Sequence, residues 1–261
     1  MRLAVFSDIH GNLTAFEAAW ADFQALGGAD HIWFLGDYSF VGPRPAECIR
    51  RIQSIIAEAE ADEARKGTVR AIRGNTDRYV VTGERPRSKP AEDADQLAKM
   101  LEDQTNFNAA VQWCLGQVGF DEYAFLSKLH GECDLYVPDF GYVIGYHGTP
   151  GNDEGFLKPD TDDEAAADAL LDREGRLGIG GHIHVQMDRL LPGGWRAINV
   201  GSVGISFDMP GKAQWGLFTF ANGGVTVNLR AVPYDVEAVI DDLFVVGHPL
   251  SNWVEQRLRQ Q

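Results

Sequence analysis

Residues 1–28 read MRLAVFSDIHGNLTAFEAAWADFQALGG. Leu3 to Phe6 is a short apolar run cut off by Ser7-Asp8. From Asn12 onward the period changes. Leu13, Phe16, Ala19, Trp20, Phe23 and Leu26 fall at helical spacing, Asn12 is placed to cap the first turn, and Gly27-Gly28 ends it. This is strand, polar turn, helix. HIWFLGD repeats the form, running into Gly36-Asp37, a Gly42-Pro43 loop and a helix expected from about Pro45 to Glu63. TVRAIRGN, YVIGYHG, LGIGGHIHV and WRAINVGSVGI are further apolar approaches to polar turns. WGLFTFANGGVTVNLRAVPY reads as a β-hairpin turning at Asn222-Gly223 or Gly223-Gly224. Strands alternating with helices predict an α/β fold, and the late strands predict a second sheet or one that switches direction.

The chain is expected to form one domain over residues 1–261, with a helical, cap-like insertion at about 80–133 that opens on the charged, Pro-containing ERPRSKPAED. That segment reads equally well as a cap over a site or as two surface helices. The tail from Asp235 to Gln261 is expected to be helix followed by a surface end.

Thirty-eight acidic residues against 23 basic ones give a formal net charge of −15, a field that repels nucleic acid backbones. A small phosphorylated substrate stays compatible if the site supplies its own positive charge. The three cysteines are scattered and odd in number, which argues against a disulfide framework or a cysteine zinc site; Cys48 and Cys114 read as small core residues. Asp8 interrupts the N-terminal apolar run too early for a signal peptide, and no run approaches the roughly 18 residues of a membrane span. A soluble, reducing, cytoplasmic setting away from membranes is the expectation. Nothing in the sequence sets an oligomeric state.

The informative feature is where the polar residues fall. Asp8 with His10, Asp37, Asn75, His147, and His182 with His184 all stand where predicted strands end, the edge at which α/β sheets gather ligands. Each alone has an ordinary reading as a turn residue or a surface histidine. Together, Asp-x-His and His-x-His place paired donors on short extended segments, where side chains at i and i+2 face the same way. Seven donors exceed one four-coordinate zinc site and suit two ions sharing a bridging carboxylate. The mixed oxygen and nitrogen set is compatible with manganese, taken first, or with iron, zinc, cobalt or nickel.

Asp8-Ile9-His10, Gly36-Asp37, Gly74-Asn75-Thr76-Asp77, His147-Gly148 and Gly181-His182-Ile183-His184 resemble, in order, the five motifs of the calcineurin-like metallophosphoesterases. With DIHGN and the late Asn199-Val200-Gly201-Ser202 loop, the chain is most similar to the small bacterial and archaeal phosphodiesterase branch. The resemblance spans residues 3 to about 205. It implies a four-layer αββα sandwich with two central mixed β-sheets. It also implies that Asp8, His10 and His184 hold one divalent ion, that Asn75, His147 and His182 hold the other, and that Asp37 bridges them. Many members carry histidine where this chain has Thr76. A hydroxyl cannot act as a general acid near neutral pH, so good leaving groups are favoured. Asp77, which orients that histidine where it is present, is left to orient a water or to serve structure. Asn12 is a candidate contact to a phosphate oxygen, and Arg78 is either a second such contact or a solvated charge.

The reading is a dinuclear metal-dependent phosphoester hydrolase, acting as a phosphodiesterase or a nucleotide or dinucleoside polyphosphate hydrolase. The alternatives are a broad phosphomonoesterase or protein phosphatase, and a non-enzymatic metal-binding scaffold. Loss of ligands would mark the scaffold, and all seven positions keep competent donors.

Overall fold

In the computed structural model, which describes residues 1–170 and 173–259, strand β1 (Arg2–Phe6) is covered on both faces. Side chains alternate along a strand, so Leu3 and Val5 enter one apolar cluster while Ala4 and Phe6 enter another. Strand β2 (His31–Phe34) divides the same way, Trp33 to one side and Ile32 and Phe34 to the other. Burial on both faces is why these strands read as unbroken apolar runs.

The first sheet has the order β10-β9-β1-β2-β3, completed by β3 (Val69–Ala71), β9 (Lys212–Ala221) and β10 (Gly224–Pro233). β1, β2 and β3 are parallel, and β9 runs antiparallel to both β1 and β10. Asn222 and Gly223, both at positive φ, turn the β9–β10 hairpin, the conformation Asn-Gly favours. The second sheet has the order β4-β5-β6-β8-β7, from β4 (Glu132–Val137), β5 (Gly141–Tyr146), β6 (Leu177–Gly180), β7 (Gln186–Leu190) and β8 (Arg196–Val200). Its three central strands are parallel and its edges antiparallel.

Leu3, Val5 and Trp33 of the first sheet pack on Val143, Leu177 and Ile198 of the second. Helices α1 (Leu13–Ala25) and α2 (Pro45–Glu60) cover the outer face of the first sheet through Phe16, Trp20, Ile49 and Ile52. Helix α6 (Asp163–Asp168) lies over the second sheet, with Ala166 in the cluster of Ile144, Tyr146 and Trp195. The result is a four-layer α/β sandwich with two mixed five-stranded sheets.

Several elements depart from the sequence reading. α2 stops at Glu60, short of the expected Glu63. Helix α3 (Asn75–Thr82) begins inside the Gly-Asn motif itself. The segment 80–133 holds α4 (Ala94–Gln117) and α5 (Phe120–Lys128), and its last two residues already belong to β4. Leu126 of α5 joins the core under α1 and α2, while Val111 and Cys114 of α4 meet the C-terminal helices. Those are two, α7 (Val236–Val245) and α8 (Ser251–Arg259); the end of the expected tail lies outside the described residues. None of the described helices is long and apolar enough to cross a membrane.

Candidate metal centre

The parallel strands of both sheets lead into polar residues at their carboxyl ends. Asp8 and His10 follow β1, Asp37 follows β2, Asn75 follows β3, His147 follows β5, and His182 and His184 follow β6. Ligand atoms of Asp8, His10 and His184 lie within 4.8 Å of one another, as do those of Asp37, His147 and His182. Asn75 meets the second group, its Oδ1 lying 2.9 Å from His147 Nε2.

The means of convergence differs from the expected pleat. Asp8 (φ 56°), His10 (φ 52°), Asp37 (φ 56°), His182 (φ 69°) and His184 (φ 56°) adopt left-handed backbone beyond the strand ends. Such a conformation costs a residue with a Cβ on the order of 1–2 kcal/mol, and strain of this kind collects at functional sites. The Asp-x-His and His-x-His pairs therefore reach their groups through turns and not along extended segments. Neighbouring glycines make room for the carboxylates. A Cβ on Gly74 would stand 2.1 Å from Asp37 Oδ1, and one on Gly181 would stand 2.4 Å from Asp8 Oδ2.

Each carboxylate is anchored by one oxygen and presents the other. Asp8 Oδ2 accepts from Ser7 Oγ (2.6 Å) and from the His182 backbone N–H (2.8 Å). Its Oδ1 faces His184 Nε2 at 3.1 Å, His10 Nε2 at 3.5 Å and His147 Nε2 at 4.0 Å. Asp37 Oδ1 accepts from Thr76 N–H (2.9 Å), while Oδ2 faces His147 Nε2 at 3.4 Å and His10 Nε2 at 3.8 Å. The imidazoles are oriented by main-chain carbonyls. His147 Nδ1–H donates to Leu35 O (2.7 Å), and His10 Nδ1–H donates to Phe40 O. These bonds occupy both Nδ1 atoms and leave both Nε2 atoms directed inward.

This donor set fits divalent metal ions. His10 Nε2 and His184 Nε2 stand 2.9 Å apart; ligand atoms sharing one ion at about 2.1 Å are separated by roughly 3 Å. His182 Nε2, His184 Nδ1 and Thr76 Oγ1 are buried without a hydrogen-bond partner among the described residues. Electrostatics point the same way. Burial would raise the Asp8 carboxyl, but His184 and His147 outweigh it and hold it well below the carboxylate range. Asp37 is brought down to about 2, as His147 and His10 overcome its burial. Burial opposes charge on His147, yet Asp37 and Asp8 lift it to about 10. Burial, reinforced by His147, lowers His182 to about 4. Two buried carboxylates thus draw positive charge into the cavity.

The other residues singled out from sequence are engaged with the protein. Asn12 caps α1, accepting from Ala15 N–H (3.0 Å) and donating from Nδ2 to Gly204 O (2.9 Å). Asp77 is fully buried and accepts from the backbone N–H groups of Asp37 (2.7 Å), Tyr38 (3.0 Å) and Gly74 (3.2 Å). Arg78 forms a fork with Asp153 (2.7 and 2.9 Å) and also pairs with Glu154 and Glu84.

Sequence reasoning missed several supports. Ser202 Oγ donates to Asp8 O (2.8 Å), and Asn199 Nδ2 donates to Gly181 O (2.5 Å), tying the late loop to two ligand turns. The Asn-Val-Gly-Ser pattern was a signal for both; the carbonyls of Leu35 and Phe40 leave none. Two exposed rings flank the centre, Phe156 at 4.8 Å from the His182 ring and Phe207 at 4.6 Å from the His184 ring.

A family model described as a calcineurin-like phosphoesterase superfamily domain matches residues 1–223. A metallophosphoesterase from Sphaerobacter thermophilus shares the fold with a TM-score of 0.70 and 22% identity, over 99% of this chain and 98% of that one. A hypothetical protein from Pyrococcus horikoshii OT3 does so with a TM-score of 0.77 and 21% identity, over 98% of this chain and 97% of that one. At these identities the likeness concerns the fold alone. A search of curated proteins gives no match.

Proposed function

Because the chain belongs to the calcineurin-like phosphoesterase superfamily, we propose that its two ligand groups hold two divalent ions and that it hydrolyses phosphodiesters or nucleotide-type phosphoanhydrides. Asp8, His10 and His184 would hold one ion, Asn75, His147 and His182 the other, and Asp37 would bridge. The observation that carries this reading is Asp37 Oδ2, which faces an imidazole of each group, His10 at 3.8 Å and His147 at 3.4 Å. Ions at such a site supply Lewis acidity to a phosphoryl group and a water of lowered pKa.

The chain's own residues orient that chemistry. Thr76 N–H holds Asp37 Oδ1 so that Oδ2 stays directed at both groups. Asp77 fixes the backbone of Asp37 and Tyr38, a positioning role. Asn12 is the proposed contact to a phosphoryl oxygen, although its side chain already bonds Gly204 O and Ala15 N–H. Arg78 is committed to Asp153 and Glu154, which supports a role in bracing the loop after His147 over direct phosphate contact. The Thr76 hydroxyl offers no proton donor for the leaving oxygen, which supports esters and anhydrides with good leaving groups over alkyl monoesters. A cap role for the insertion is supported by a cavity of about 650 Å³ between Arg78, Asn152 and Glu154 on one side and Glu84, Arg85 and Arg87 on the other. Manganese is the first candidate ion, with iron, zinc, cobalt and nickel compatible with the same donors. A cytoplasmic setting is part of the proposal, supported by three free cysteines.

Elemental analysis after loading with Mn²⁺ tests the centre, and a panel of phosphomonoesters, phosphodiesters and dinucleoside polyphosphates tests the reaction. About two ions per chain are expected for a two-metal site, with Asp37→Ala losing both metal and turnover. One ion or fewer, unchanged in Asp37→Ala, overturns the dinuclear reading. Preference for monoesters would indicate a broad phosphomonoesterase or protein phosphatase. Full metal loading without turnover of any ester would indicate a scaffold.

A further inference from the structure

In this acidic chain several arginines are neutralised by carboxylates, as Arg44 is by Asp242, Arg78 by Asp153 and Arg230 by Asp22. Arg257 on α8 has no carboxylate partner among the described residues. Its guanidinium lies near two aromatic rings, 5.4 Å from the centroid of Phe207 and 5.3 Å from that of Trp253. Both rings are partly open to solvent, Phe207 by 46% and Trp253 by 39%. The carboxylates nearest in sequence to Arg257 and Phe207 are engaged elsewhere. Glu255, the one acid of α8, pairs with Arg259. Asp208, next to Phe207, accepts from Gln186 N–H, Ser206 Oγ and Gln214 Nε2.

Phe207 also touches the metal centre. Its ring lies 4.6 Å from that of His184, and its backbone N–H donates to His184 O at 2.9 Å. One ring therefore separates an uncompensated guanidinium from a ligand of the centre. Two flanking rings restrict the guanidinium plane, so less freedom is lost when it binds an anion. A planar fork of N–H donors matches phosphate geometry, and its hydrogen bonds are charge-assisted. Arg257 lies beyond the residues 1–223 matched by the family model.

We propose that Arg257 and Phe207 form an anion subsite beside the metal centre, taking a phosphoryl group joined by anhydride linkage to the one that is cleaved. The substrate class that fits is a nucleotide-type polyphosphate. This rests on the phosphoesterase reading of the centre, and the test separates the two. Binding of pyrophosphate and of orthophosphate to the full chain is measured by titration calorimetry, with and without Mn²⁺, for wild type, Arg257→Gln and Arg257→Lys. Hydrolysis of a dinucleoside polyphosphate and of bis(p-nitrophenyl) phosphate is followed in parallel. Arg257→Gln should weaken pyrophosphate binding about tenfold, the scale of one charge-assisted contact, and orthophosphate binding much less. Its KM should rise at least several-fold more for the polyphosphate than for the aryl diester, with kcat little changed. Arg257→Lys should fall between, keeping the charge without the fork. Equal losses on both substrates, or unaltered pyrophosphate binding in Arg257→Gln, would overturn the subsite. Absence of any turnover in wild type would refute the phosphoesterase reading, while the pyrophosphate comparison would still decide the subsite.

Discussion

Asp77 and Thr76 sit side by side and divide the labour of the Gly-Asn motif. Burial, with the Asp37 charge adding to it, pushes the Asp77 carboxyl up to about 7, while the backbone N–H groups of Tyr38 and Gly74 pull the other way. Asp77→Ala would leave three buried N–H groups unpaired, at about 1–3 kcal/mol each. The metal-free protein should lose about 3 kcal/mol or more by urea unfolding, and Asp77→Asn, which keeps an acceptor oxygen, should lose less. Stability within 1 kcal/mol of wild type, roughly the value of one ordinary hydrogen bond, would refute the positioning role. Thr76 calls for kinetics. Across a series of substituted aryl phosphodiesters at fixed Mn²⁺, the wild-type rate should depend steeply on leaving-group pKa. Thr76→His should flatten that slope and raise activity on poor leaving groups by about tenfold, short of a full 10²–10⁴ general-acid effect because nothing there orients the ring. A flat wild-type slope would mean that another group delivers the proton or that chemistry does not limit the rate.

Between α7 and α8, His248 acts as a pin. Its Nδ1 accepts from Leu250 N–H (3.1 Å), and its ring meets Trp113 of α4 edge-on at 4.5 Å. Burial alone lowers its pKa to about 4. The folded value is depressed, so the neutral ring contributes stability above the unfolded pKa of about 6.5. That contribution is lost as pH falls from there toward the folded value, because only the unfolded chain takes up the proton. His248→Asn keeps an acceptor for Leu250 and cannot titrate. Between about pH 7 and about pH 5, wild type should lose roughly 2 kcal/mol more than the variant, read from urea midpoints at each pH. Parallel losses would show that His248 is not the acid-sensitive contact. The helix that follows this connection, α8, carries Arg257, so the pin sits next to the element of the proposed subsite.

At the scale of the whole molecule, the centre is a local cost that cations of the proposed kind would offset. Asp8 and Asp37 are buried, and five ligand residues hold left-handed backbone. Ions that bind only the folded state should therefore stabilise it, by about 2.7 kcal/mol per site at a hundredfold excess over Kd. For a chain of this size that corresponds to a rise in Tm of several degrees, taking about 2–4 °C per kcal/mol. Thermal unfolding with Mn²⁺ and then with excess chelator should show the rise and its reversal, and Asp37→Asn should lose most of it. An unchanged Tm at saturating Mn²⁺ would argue against a cation site in the folded protein.

The sequence by itself determined the α/β class, the central strands and the positions of the seven candidate donors. Strands such as Leu3–Phe6 and His31–Phe34 are buried on both faces, so local composition alone marks them, and the donors stand where those runs stop. The edge strands β4 and β7 escaped because their half-exposed pattern mixes charge with apolar residues, as in ECDLYV and QMDRL. Tertiary structure decided everything that depends on residues far apart in the chain. It turned the ligands in through left-handed backbone, which no side-chain pattern encodes. It oriented the imidazoles of His10 and His147 with the carbonyls of Phe40 and Leu35, groups that every residue possesses. It engaged Arg78 with Asp153 and Glu154, some 75 residues away, and set Arg257 near the rings of Trp253 and Phe207, the latter against His184. Charge in a sequence shows how many partners a cation could have, and only packing decides which cations go without one.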